Sequence, residues 1–494
     1  MALTYKHGTY GEFAESISGV STQSGTLAVY VGTAPVNLIQ GYADAGVVNA
    51  PVLLNDFNAV KRLMGYSPNW AGFTLCEAFK VHFDNPSGNA GPIVAINVLD
   101  PATHKKSTQT TKQLTFVNKR ATIASDTIVL DTILLADKVK GTDFTVDYDF
   151  TAGQVILTDV SDEGISGSIN VTFDEVDLEK VTKTEIIGGV TSGGVYSGLG
   201  CVDLVYPEIN FIPNLIAAPG WSEDKDVYNA MVTAGTKING HWDAFVSADI
   251  PIKDGGSTPV DTIEKAIKWA GENSYINERT KIFWPQAALT FGGIAHGSTL
   301  YVWRQLLVDA NHNGIPMETA SNKDVPVSKQ YFGADSTNRG FDQTRANDLN
   351  AKGISTVVYW GGRWGLWGGH TAAYEFGAVT DKRVIFDNNI RMMMYITNSF
   401  QQEWAMDIDE PMTQAKADSI KAREQEKADA LVAVGALIGA PEVLFLESEN
   451  STAELAEGNF VWDFAATPTP QFKSGTMRMA YTDKGFNSYF GEEA

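Results

Sequence analysis

The segment Asp309–Gly314 reads DANHNG. Oxygen-bearing side chains at its first, third and fifth positions, with glycine at the sixth, open a calcium loop. The twelfth position, which should bring a bidentate glutamate, is Ala320, and Pro316 lies inside the loop. The segment is therefore expected to be a tight loop ending a helix that carries Trp303, Leu306 and Leu307. A second oxygen-rich patch, Asp143, Asp147 and Asp149, alternates with Phe144, Val146, Tyr148 and Phe150. That two-residue period reads as the solvated face of a strand rather than a calcium cage. The glycine-rich stretch Gly188–Gly200, GGVTSGGVYSGLG, contains neither GxGxxG nor GxxxxGK[ST], so no phosphate cradle is expected. The seven histidines form no HExxH and no pair at ligand spacing, and no GxSxG elbow is present. No catalytic, cofactor-binding or metal-binding residue is expected.

The elements that would position any site divide the chain by pattern. Residues 1–24 are polar and glycine-punctuated, an arm rather than a core element. From 25 to 104, Leu27–Val31 reads as a strand. Asp56 caps a short helix bearing Phe57, Val60, Leu63 and Met64; a second helix covers about 72–84; and Pro92–Leu99 reads as a buried strand. Near residue 105 Thr, Asp and Val take over, and alternation through 182 predicts a small all-β domain with turns at Gly141, Gly153 and Gly164. Residues 183–466 alternate strand and helix: Phe211–Ala218, a helical face of Val227, Met231, Ala234 and Ile238, then Trp242–Ile250, a stripe of Ile263, Ala266, Ile267 and Ala270, and Lys281–Leu289. Such a run implies a helix-covered sheet. Two long helices follow. The first places Phe386, Ile390, Met393, Phe400 and Trp404 on one face. The second is read as 412–438, stopped by Gly439 and Pro441. Residues 467–494 form a Pro-rich linker and Met477–Tyr481, an alternating strand without a following partner. The fold class expected is α/β (α+β) and multidomain.

Composition bounds the function. An apolar fraction of 44% is that of a packed protein, while 37 basic against 59 acidic residues give −22. Nucleic acid and anionic membranes should repel such a chain. No apolar run is long enough to span a bilayer, and no secretory leader is expected. Cys76 and Cys201 read as buried thiols in a reducing compartment.

Taken in order, several short segments make the chain resemble the sheath subunits of contractile phage tails and of phage-tail-like bacteriocins. They are Gly32-Thr33-Ala34-Pro35 after the first strand, Gly188-Gly189, Leu215–Gly220, Pro316 with Asn322, Trp367–Thr371 and Gly435–Gly439. The family's arginine position is His370 here. With that likeness the segment Tyr359–Thr371, YWGGRWGLWGGHT, reads as a close-packed crossover of strand and loop rather than a sugar platform.

The resemblance implies a structural subunit with no catalytic site and no cofactor. It would form hexameric rings stacked helically around a tail tube, joined to baseplate and tail terminator proteins. It would be assembled in the bacterial host cytoplasm as part of a virion tail or tail-like particle. In the family, arms from neighbouring subunits add strands to a third subunit's sheet; Met477, Arg478, Met479, Ala480 and Tyr481 are the candidate arm here. The helix 412–438 is the candidate tube-facing surface, because Lys416, Lys421, Arg423 and Lys427 gather there in an otherwise acidic chain. The 105–182 domain varies in the family, which implies an outward insertion. A cytoplasmic α/β enzyme with an appended β domain is the alternative, and a surface-array protein a third reading.

Overall fold

The computed structural model describes residues 25–491; the expected N-terminal arm, 1–24, lies outside the described residues. Its centre is an eight-stranded sheet in the order Pro51–Leu54, Ile93–Asn97, Ala28–Gly32, Leu215–Ala217, Phe245–Asp249, Thr280–Phe283, Ile354–Trp360 and Arg363–Trp367. The inner strands run parallel, and only the two edge strands pair antiparallel. Parallel strands are covered on both faces, so they need side chains that tolerate burial on either side. Ala28–Gly32, Ile93–Asn97 and Phe245–Asp249 are accordingly buried at every residue.

Helices lie on both faces. On one, Gly297–Asn311 crosses Phe245 and Phe283 with Leu300, Tyr301 and Trp303 fully buried. On the other, Ala248 and Ile282 pack with Ile263, Ala266 and Trp269 of Ile263–Glu272. The short helix Phe57–Leu63 starts where expected, with the Asp56 carboxylate accepting from the Asn58 and Ala59 amides at 2.8 Å.

Residues between 105 and 182 build two three-stranded antiparallel sheets around Ile123, Phe144, Val146, Val155, Leu157, Val171 and Phe173. Leu38 of the main body inserts into that cluster, and the Asn37 side-chain amide donates to the Asp126 and Ile128 carbonyls. The alternating aspartates do point outward, as the two-residue period requires.

Three local readings change. The second long helix is Gln414–Ala433, not 412–438. Gly435 takes φ +80°, a left-handed conformation that ends a helix, and Leu437 then opens a strand, Leu437–Leu444. In the first long helix, Asp387–Glu403, Met393 is exposed, while Ile390, Arg391, Met394 and Asn398 face inward. Ile390 lies on the expected face, but Met394 rather than Met393 continues it, because the real face also carries the polar Arg391 and Asn398. The Tyr359–Thr371 segment is a hairpin, not a crossover. Tyr359 and Trp360 of the outer end are more than half exposed, and Gly361-Gly362 make the two-residue turn at φ +62° and +82°. Close approach is real at Gly368, φ +130°, where a Cβ would lie 2.7 Å from Ser355 Oγ.

Candidate assembly site

The strand Leu437–Leu444 pairs antiparallel with Asp463–Pro468, and these two make a sheet of their own. Val443 opposite Phe464 faces inward; Glu442 opposite Ala465 and Leu444 opposite Asp463 take the other parity. The inner face rests on Leu431, Met392 and Ala436, with Tyr395, Ile396 and Phe464 around them. A register shift lies between Ile438 and Glu442. Among the described residues, each strand has one strand neighbour. The outer edge of Leu437–Leu444 is met by Gln425, which accepts from the Val443 amide and donates to the Pro441 carbonyl, both at 3.0 Å. The edge open to a further strand is therefore that of Asp463–Pro468.

After this sheet the chain turns away. Thr469 is still held: its amide donates to the Ala436 carbonyl at 3.0 Å and its carbonyl accepts from Asn388 Nδ2 at 3.0 Å. Lys473 reaches Tyr374, donating to its hydroxyl at 3.2 Å and lying over the ring. From there to Thr482 no strand is present, and Met477, Met479 and Tyr481 are 92%, 91% and 82% exposed. The expected strand of Met477–Tyr481 is thus not formed within the single chain; extended backbone without a partner has nothing to pair with.

The start of the described chain is pinned nearby. Thr26 Oγ1 donates to Asp309 at 2.6 Å, and the Leu27 amide donates to Asn214 at 2.9 Å. A cleft of about 530 Å³ opens beside Gly25 and Thr26, with Arg391 and Asn398 among its walls.

Both regions meet on a buried charge cluster. Asp387 accepts from Lys281 Nζ at 2.8 Å, Thr319 Oγ1 at 2.8 Å and the Tyr301 hydroxyl at 3.3 Å. Arg391, one turn along the same helix, forms a bidentate pair with Asp309, which also accepts from Gln305. Burial lowers the Lys281 ammonium's pKa, opposed by Asp387. Burial also works against the Arg391 charge, but Asp309, together with Tyr301 and Asp387, outweighs it and raises the pKa. These four charges lock the helix Asp387–Glu403 to the sheet and to the helix Gly297–Asn311. Sequence reasoning missed them, although Asp309 drew attention in the DANHNG segment, which does end that helix.

The four cations of the second long helix have mostly local partners. Lys416 pairs with Asp407 at 2.8 Å and Glu410 at 2.6 Å, Arg423 with Glu403 at 3.2 Å and Glu426 at 3.3 Å, and Lys427 with Glu403 and Glu424. Among the described residues, Lys421 alone of the four has no carboxylate within ion-pair distance. Burial works against the Glu403 charge, and its bonds from Lys427 and Arg423 overcome this to hold the carboxyl below its ordinary range.

His370 is neutral and structural. Burial lowers its pKa to about 4; the ring stacks on Tyr374 at 3.6 Å and on Phe386 at 5.2 Å, and Nδ1 donates to the Ile385 carbonyl. Among the described residues it has no ion-pair partner. Cys76 and Cys201 are buried and free, and burial pushes the Cys201 thiol up to about 12. Among the described residues, no cluster of His, Cys, Asp or Glu is arranged to hold a metal, and no helix is long and apolar enough to cross a membrane.

No family model matches the chain. It is, however, 25% identical over 507 aligned positions to the tail sheath protein of Burkholderia phage BcepMu, covering 98% of both chains. The likeness to a tail sheath protein thus runs along nearly the whole chain. Its fold agrees with that of a chain in the anti-feeding prophage baseplate, TM-score 0.55 at 12% identity over 97% of this chain and 100% of the other. It also agrees with the sheath complex of PVC, an extracellular contractile injection system, in its contracted state, TM-score 0.54 at 9% identity over 98% and 100%. None of these names supports the enzyme alternative.

Proposed function

We propose that the chain is a contractile tail sheath subunit that assembles as hexameric rings stacked around a tail tube, and that its terminal arms complete β-structure in adjacent copies. A two-stranded sheet is marginal by itself, and open edges recruit further strands. The observation that carries the reading is the pairing of such a sheet, Leu437–Leu444 with Asp463–Pro468, with an exposed apolar tail in the same chain. Strand addition supplies main-chain hydrogen bonds of about 1 kcal/mol net each, and these survive rotation of rigid bodies. Stacking through a heterologous interface needs no closure along the axis, so one subunit type builds a filament.

Contraction is then a switch between two packings of nearly unchanged subunits, driving the tube through the target envelope. Partners are the tail tube, the baseplate and the tail terminator, met in the host cytoplasm during assembly. Residues 105–182, held to the body through Asn37 and Leu38, face outward. The tube-facing surface is the helix Gln414–Ala433, with Lys421 its cation free of local pairing. Deleting residues 477–494 should leave a folded monomer that forms no polysheath by electron microscopy; normal sheaths from that truncation would refute the arm assignment. Lys421→Glu with Arg423→Glu should weaken tube docking, and unchanged extended tails would dismiss that surface.

A further inference from the structure

The strand Asp463–Pro468 has an apolar groove beside it that the fold leaves unfilled. The groove measures about 230 Å³ and is walled mainly by Ile396, Ala430, Leu431, Val434 and Phe464. Glu424 and Lys427 also line it, their charges already closed on each other at 2.8 Å. Val434 is 55% exposed at its mouth. We propose that this groove seats Met477 and Met479 of a second copy's arm, and so fixes the register of the donated strand; the inference rests on the strand-addition reading above.

Two observations select that occupant. The first is charge. Residues 437–468 carry six carboxylates, Glu442, Glu447, Glu449, Glu454, Glu457 and Asp463, and no Lys or Arg. Residues 469–482 carry Lys473 and Arg478 and no acid. In a chain of net charge −22, a basic segment facing an acidic hairpin is the complementary pair, whereas two hairpins facing each other repel.

The second is parity. Phe464 turns inward toward the groove, so Asp463 and Ala465 turn outward, with Glu442 opposite Ala465. Along an extended arm Met477, Met479 and Tyr481 share one face and Arg478 and Ala480 the other. Laid along the open edge of Asp463–Pro468 with the methionines inward, the arm must present Arg478 on the face that holds Asp463 and Glu442. The small Ala480 falls on that face as well. A slip of one residue would drive Arg478 into the apolar groove and leave the methionines in water, which is how one groove enforces register. Methionine suits the task, because its unbranched thioether adapts to an irregular cavity.

The test uses the full chain. Met477→Ser with Met479→Ser keeps every main-chain hydrogen bond and should raise the critical concentration for polysheath at least about tenfold. Wild-type assembly by that variant, alongside loss of assembly on deleting 477–494, would overturn the groove while leaving strand addition intact. Normal assembly by both would sink both readings. A chain carrying Ala430→Cys and Met479→Cys should give an intermolecular disulfide ladder on mild oxidation of assembled material, and assembled chains without a ladder would count against the seat. Arg478→Glu should weaken assembly and Asp463→Lys should restore it; no restoration would remove the charge pairing.

Discussion

The central sheet and the C-terminal hairpin are both β-structure in one chain, yet they are built on opposite terms. Ala28–Gly32 is buried at every residue and is bonded on both sides, to Ile93–Asn97 and to Leu215–Ala217. Leu437–Leu444 is buried at only some of its residues and carries a register shift. It has one strand neighbour, Asp463–Pro468, whose own outer edge has no strand beside it among the described residues. The sheet satisfies its backbone within the subunit. The hairpin leaves an edge of donors and acceptors toward the outside, in the part of the chain that also holds a basic apolar tail. Stability and assembly are therefore separable, and substitutions should sort cleanly between them.

The largest effect belongs to the body. Arg391→Ala strands the buried Asp309 carboxylate and should cost about 3–5 kcal/mol in denaturant unfolding; a loss below 1 kcal/mol would mean the cluster does not hold the helix. Next, Gly368→Ala forces a side chain into φ +130° against Ser355 and should cost about 1–3 kcal/mol. Gly361→Asn at the hairpin tip, φ +62° with open space around it, should stay within about 0.5 kcal/mol.

Acid should act on the body too. Burial lowers the pKa of His82 and His370 to about 4, against about 6.5 when unfolded. The unfolded chain thus binds more protons between these values. Stability is complete above pH 6.5 and falls toward pH 4, by up to about 1.4 kcal/mol per unit for each ring. His370→Phe, which keeps the stack, should flatten the decline, leaving the variant about 2 kcal/mol better placed at pH 5 than at pH 7 relative to wild type. An unchanged slope would show that the ring takes up a proton in the folded state.

The smallest effect on folding belongs to the tail. Arg478→Ala should shift monomer stability by no more than about 0.5 kcal/mol, measured by denaturant unfolding. A shift above about 1 kcal/mol would erase the contrast between the two regions.

Legibility followed the same division. The buried strands were readable because continuous apolar runs such as Ile93–Asn97 have no other economical structure. The inserted β segment was readable because Phe144, Val146 and Tyr148 keep a strict period of two. The hairpin was not, because the short apolar run Ala436–Ile438 looks equally like a helix end; Gly435 was the mark of the change. The cluster of Lys281, Asp309, Asp387 and Arg391 escaped because a buried charge breaks the hydrophobic pattern on which sequence reading depends. The candidate arm shows in sequence as an orphaned alternation, whereas the seat proposed for it rests on a groove and an open edge that exist only once residues far apart in sequence are assembled.

One turn of helix has a mechanical consequence. Asn388 holds Thr469 at the root of the outgoing tail, and Arg391, through Asp309, holds Thr26 at the root of the incoming segment. Tension entering at one tether leaves by the other across three residues of a single rod. The central strand Ala28–Gly32 follows closely on Thr26, so the helix is a second path that shares the load with the sheet.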